Sequence, residues 1–84
     1  MATLLYFAWV RERMGRAEEA LSLPPGIGTV GALVGWLHGR DAGGAAAFAE
    51  AGLVRAAVNQ DFAGPDTPIG DADEIAFFPP VTGG

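Results

Sequence analysis

Few residues in this sequence can do chemistry. Its 84 residues contain no cysteine, a single histidine (His38), and five arginines without one lysine. The absence of cysteine excludes disulfides, thiolate nucleophiles and thiolate metal sites, and a lone histidine leaves no nucleophile, base and carboxylate set to assign. Gly26, Gly28 and Gly31 spell GxGxxG, the spacing that brings a backbone against a pyrophosphate at a helix N-terminus. Pro24-Pro25 breaks the strand-to-helix turn which that motif requires, and a chain with 13 glycines produces the pattern by chance. His38 falls near a predicted helix C-terminus, where a partly charged imidazole suits the helix dipole, and it reads as a surface histidine. Asp71, Asp73 and Glu74 lack the spacing of a calcium loop and read as a solvated turn. What remains is the main chain itself. The sequence closes on Val81-Thr82-Gly83-Gly84 after Pro79-Pro80, with no charged or bulky side chain after the prolines. Terminal glycines are often no more than a frayed tail. A tail without Cβ atoms at its tip, however, can enter a narrow channel and carry the carboxylate of Gly84 to a nucleotide.

The tail needs elements that hold it. Thr3 to Val10 alternate, with Leu4, Tyr6, Ala8 and Val10 on one side and Leu5, Phe7 and Trp9 on the other, which predicts a strand apolar on both faces. One face suits the core; the second needs cover from a loop or a partner. Arg11 to Arg16, containing Gly15, reads as a polar turn, and Ala17 to Leu23 as a shorter strand stopped by Pro24-Pro25-Gly26. Thr29 is a candidate N-cap for a helix with Val30, Leu33, Val34 and Leu37 on one stripe, ending at Gly39. The alanine-rich stretch 41–52 predicts another helical turn or two, weakened by Gly43-Gly44. Leu53 to Val58 resumes strand character, Gly64-Pro65-Asp66 is a turn signal, and Glu74 to Phe78 is the last strand before the proline pair. The order strand, strand, helix, strand, strand predicts an α+β domain, a mixed sheet packed on one main helix. No repeat or linker divides it, so 1–84 is expected to be one domain with 79–84 as its tail.

Ten acidic residues against five arginines give a formal charge of −5, which repels phosphate backbones and anionic lipid and argues against nucleic-acid and membrane partners. No apolar run approaches the roughly 18 residues of a membrane span. The opening MATLLYFAWV lacks the basic region and cleavage site of a signal peptide, so a cytoplasmic location is expected. The absence of lysine reads first as a compositional bias toward arginine; a second reading is avoidance of an internal amine that could trap an activated C-terminus.

The segments LLYFAWVRERMG, AAVNQDF, TPIGDADEIAFFPP and VTGG, in this order along nearly the whole chain, resemble the small-subunit family of molybdopterin synthase. DEIAFFPPVTGG carries most of that resemblance, and 39–52 carries little. The resemblance implies a ubiquitin-like β-grasp fold and a sulfur carrier for molybdenum-cofactor biosynthesis. By it, Gly84 is adenylated by an ATP-dependent activating enzyme, converted to a thiocarboxylate with sulfur from a donor protein, and presented to the large synthase subunit. Val81, Thr82 and Gly83 would thread the tail, and Phe7, Arg11, Phe62 and Phe78 would contact the large subunit. The phenylalanines could equally fill the core, and for Phe7 the two readings stand even. No tightly bound cofactor, no metal and no turnover by the isolated chain are expected. The related thiamine-pathway sulfur carrier, a ubiquitin-like modifier of lysines, and a β-grasp binding module with an incidental tail are the alternatives.

Overall fold

The computed structural model describes residues 1–80. The first strand, β1 (Ala2–Tyr6), alternates buried and half-buried side chains, as its period of two requires. It ends earlier than the sequence pattern suggests. Phe7 closes the strand in extended conformation, Ala8 takes φ 51°, and the chain turns into helix α1 (Ala8–Met14). The stretch expected as the end of a strand and a polar turn is therefore helical. Val10 and Met14, four apart, share its buried side, while Trp9, expected beside Leu5 and Phe7, instead packs against the core with the Arg13 guanidinium 4.3 Å above its ring. Gly15, at φ 80°, caps the helix with its N–H on the Arg11 carbonyl, a left-handed position that glycine fills without a Cβ clash.

Strand β2 (Glu18–Leu21) returns antiparallel to β1. Helix α2 (Val30–Arg40) begins where the sequence places it, with Thr29 Oγ1 accepting the Ala32 N–H at 3.2 Å, and it buries Val30, Leu33 and Leu37. It runs one residue past Gly39. Asp41 then caps α3 (Ala42–Ala47), its carboxylate accepting the Gly44 N–H at 2.8 Å. The two glycines that weaken α3 as a helix make it possible as a packed one. A Cβ on Gly43 would meet the Met14 carbonyl oxygen at 2.8 Å, and a Cβ on Gly44 would collide with the Leu37 carbonyl. This close approach to α1 and α2 swings Phe48 into the core.

A short 3-10 turn at Ala51–Leu53 leads to β3 (Arg55–Val58). Asn59 and Gln60, at φ 51° and 72°, form a tight hairpin to β4 (Asp61–Ala63), a strand the sequence reading omits. Strand β5 (Glu74–Phe78) has the bounds expected. The sheet order is β2-β1-β5-β3-β4, with β1 and β5 parallel and the other pairs antiparallel. This is the mixed sheet of a β-grasp, with one main helix across it. Tyr6, Phe48 and Phe77 anchor the core, Phe77 stacking on Tyr6 at 6.1 Å and meeting Phe48 edge-on at 5.2 Å.

Candidate functional site

The face of the sheet away from α2 is built by register. Leu5 lies level with Ala76 on β5, Ala76 with Ala57 on β3, and Ala57 with Phe62 on β4. One step on, Phe7 donates its N–H to the Phe77 carbonyl at 3.1 Å and continues the alternation beside Phe78, which is level with Arg55. Small side chains on the central strands leave the larger ones standing clear. Phe62 is 87% exposed, Phe7 48%, and Phe78 half-buried, with the Phe62 and Phe78 rings 6.1 Å apart and tilted by 55°. Three aromatic rings, on β4, on β5 and on the residue that follows β1, form an apolar patch of the kind that marks an interaction surface.

Arg55 borders this patch, level with Phe78, and Arg11 lies one helical turn from Phe7; both are exposed and neither is in an ion pair among the described residues. Arg13 lies over the Trp9 ring, and Arg16 and Arg40 are in ion pairs. Arg40 donates to both oxygens of Glu19 at 2.8 and 2.9 Å, Arg16 reaches the same carboxylate at 3.2 Å, and the buried Tyr6 hydroxyl donates to it at 2.6 Å. The Arg40 hydrogen bonds hold the Glu19 carboxyl below its usual range, whereas burial, followed by the bond to Glu19, pushes the Tyr6 hydroxyl up. This cluster ties β1, β2 and α2 together on the far side from the patch. It is structural.

The acidic turn has a similar role. Asp73 accepts from Asn59 Nδ2 at 2.9 Å and the Gly70 N–H at 2.8 Å, bonds that lower its carboxyl, and Asp71 accepts the Leu23 N–H at 2.8 Å. The described residues contain no cluster of His, Asp or Glu able to hold a metal. His38 is exposed on α2. Gly26, at φ 86°, serves a tight turn in which Ile27 N–H bonds the Pro24 carbonyl.

At the same end of the sheet as Phe7 and Phe78, β5 stops because Pro79 and Pro80 have no N–H to extend the ladder. The expected tail residues Val81, Thr82, Gly83 and Gly84 lie outside the described residues. The fold thus brings Phe7, Phe78, Arg55 and the root of the tail to one place, with Phe62 beside them and Arg11 one helical turn from Phe7. Sequence reading missed Arg55, because its place next to Phe78 depends on the β3–β5 register, which no local pattern reveals.

Residues 4–84 match the ThiS family. The chain belongs to the ThiS family. Along its whole length it is 43% identical over 84 residues to the Escherichia coli (strain K12) molybdopterin synthase sulfur carrier subunit, an alignment that takes in 100% of both chains and so includes Gly84. Among solved structures, this ThiS-family chain is similar to a Pyrococcus furiosus protein described as a molybdopterin converting factor, subunit 1 (29% identity, 95% and 97% of the two chains, TM-score 0.76). It is also similar to small archaeal modifier protein 1 from Methanosarcina acetivorans (26% identity, 99% and 95% of the two chains, TM-score 0.68). The β-grasp expected of a ThiS-family protein is the fold observed. No helix among the described residues is long and apolar enough to cross a membrane.

Proposed function

We propose that this chain is the sulfur carrier subunit of molybdopterin synthase, with the carboxylate of Gly84 as its working group. The observation that carries this reading is the full-length 43% identity to a subunit of that name, through Gly84. A carboxylate is ionised at neutral pH and resists nucleophiles, because its ordinary pKa is roughly 3.3 to 3.7. Activation therefore comes first. A partner adenylating enzyme joins Gly84 to the α-phosphate of ATP with release of pyrophosphate, and sulfide-level sulfur (HS⁻) supplied by a donor protein then displaces AMP, forming the C–S bond as the C–O bond to AMP breaks. The Gly84 thiocarboxylate carries a soft sulfur that attacks a carbon of the pterin precursor in the large subunit and displaces an oxygen leaving group; water then cleaves the acyl C–S bond, leaving the sulfur on the pterin and the carboxylate on Gly84. The chain behaves as a macromolecular group carrier in the cytoplasm and turns over nothing alone.

Docking uses the open sheet face. Phe7, Phe62 and Phe78 insert into apolar pockets of the large subunit, Arg11 adds a polar contact at the rim, and Val81, Thr82 and Gly83 thread the tail into the partner's active site. The exposure of Phe7 and Phe62 supports this over a core role for those two.

Intact mass after incubation with the adenylating enzyme, ATP and a sulfur donor tests the reading. Exchange of oxygen for sulfur adds about 16 Da at the terminus. Deleting Gly84 withdraws the carboxylate by roughly 3.3 to 3.6 Å, and adding one residue advances it by as much, so both variants are expected to fold and to gain no sulfur. Sulfur uptake by either at the parent's rate would overturn the assignment. Amide adducts on the lysines of other proteins, without thiocarboxylate, would favour a modifier instead.

A further inference from the structure

The open face carries a charge pattern as well as an aromatic patch. Successive side chains alternate across a sheet, so Arg55 and Ala57 on β3 share this face, Ala57 level with both Ala76 and Phe62 and Arg55 level with Phe78. Two strand spacings, about 9.4 to 9.8 Å, separate β4 from β5. The Phe62 and Phe78 rings are 6.1 Å apart, so they lean toward each other above β3. A surface that covers both rings therefore covers β3 between them, Arg55 included. On the β4 side nothing flanks Arg55, because Ala63 is level with Ala56 and the next residue is Gly64.

The strand residues of this face hold two carboxylates, and both stand away from Arg55. Glu74 is level with Thr3, at the other end of β5 from Phe78, about 13 Å along the strand. Glu18 is level with Leu5 on β2, the edge strand opposite β4. A guanidinium enclosed by protein loses hydration that an apolar surface does not replace, and arginine cannot escape that cost by giving up its proton. Its planar fork matches a carboxylate, with two parallel hydrogen bonds. We infer that the large subunit presents a carboxylate to Arg55, and that this pair fixes the orientation in which the open face docks. This rests on the docking surface proposed above. The same carboxylate turned toward Glu74 or Glu18 meets like charge, so the reversed orientation is repelled. The aromatic rings supply contact area that tolerates more than one rotation, and the charge pattern selects one.

Binding kinetics with the large subunit test this on the full chain, comparing the parent with Arg55→Gln, Arg55→Glu and Gln60→Glu. Gln60 sits in the β3–β4 turn at the far end of the sheet, and Gln60→Glu alters net charge by as much as Arg55→Gln does. Arg55 is exposed and outside every ion pair among the described residues, so the urea midpoints of its variants should match the parent's. Arg55→Gln should bind about thirtyfold weaker, chiefly by faster dissociation, because the partner's carboxylate is left enclosed without a cation. Arg55→Glu should bind about tenfold weaker again at about 50 mM salt, and the gap between the two variants should narrow at about 500 mM as salt screens the repulsion. Gln60→Glu should stay within about twofold of the parent. Parent-like affinity of Arg55→Gln, equal weakening by Arg55→Gln and Gln60→Glu, or a gap between Arg55→Glu and Arg55→Gln that ignores salt would each overturn the inference, the last by assigning Arg55 a neutral acceptor. Phe62→Ala, measured alongside, separates the two failures. If it loses affinity while Arg55→Gln does not, the docking face stands and the carboxylate does not; if neither loses affinity, the docking face itself is wrong.

Discussion

The two faces of this sheet are made from the same kinds of residue and have opposite fates. Toward α2, Leu4, Tyr6, Ile75 and Phe77 are almost wholly buried; on the other side Leu5, Phe7, Phe62 and Phe78 remain in part or mostly exposed. Phe77 and Phe78 are neighbours in sequence, yet one is a centre of the core and the other stands at the edge of the open apolar patch. Hydrophobicity alone does not separate a residue of the core from one of the open face. The pleat does, by sending successive side chains to opposite faces, and the helices then cover only one face.

Substitutions on the two faces can break or sharpen this contrast. Phe77→Ala should be the most costly, about 3 to 5 kcal/mol in urea unfolding, and Leu37→Ala should follow at about 2 to 5 kcal/mol, since both leave cavities under α2. A midpoint close to the parent's for either would mean that the closed face is not the stabilising one. Phe62→Ala should shift stability by less than about 0.5 kcal/mol but weaken large-subunit binding by about 2 kcal/mol or more, read by calorimetric titration. Unchanged affinity would remove the open face from the docking surface. Phe78→Ala, half-buried, should fall between, losing more affinity than stability; the reverse order would assign Phe78 to the core.

A smaller effect tests the far side of the sheet. Arg40→Ala should cost about 1 to 3 kcal/mol by removing two charge-assisted bonds to Glu19, without changing partner affinity. Glu19 also sets a pH dependence. Its carboxyl is held down in the folded chain, so the unfolded chain binds the proton more tightly, and the stability this provides is complete above the ordinary value of 4.5 and is lost as pH falls through the lower folded value. Glu19→Gln should flatten the acid limb of a stability profile below about pH 4.5. An unaltered limb would place the acid sensitivity elsewhere.

Much of this was legible in the sequence because local chemistry and tertiary demand agree at particular places. Thr29 is a hydrogen-bonding N-cap followed by an apolar stripe, and α2 starts there. Glu74–Phe78 alternates and meets two prolines, and β5 has those bounds. The first helix was not legible, because its N-cap is Phe7, which makes no side-chain capping bond, and Ala8-Trp9-Val10 continues the strand's alternation by coincidence. Gly15 marked the end of α1 but reads equally well as a turn. β4 escaped because Gln60 holds a positive φ in a turn that usually advertises itself with glycine. At the candidate site, the aromatic residues were visible as types, but their gathering with Arg55 depends on strand register between segments more than 20 residues apart, which only the folded sheet supplies.

The parallel pairing of β1 with β5 has a consequence for how the protein is made. The strand at the centre of the sheet is the last one in the chain, so a growing polypeptide holds β1, β2, β3 and β4 with nothing to join the two halves of the sheet. Synthesis runs from the N-terminus, and contacts between the first and last strands are the slowest to close because the whole intervening chain must be ordered to make them. Folding therefore completes only after Phe78 has been added, a few residues before Gly84. A nascent chain that ends before β5 lacks both the strand that joins the two halves of the sheet and the open apolar patch around Phe78.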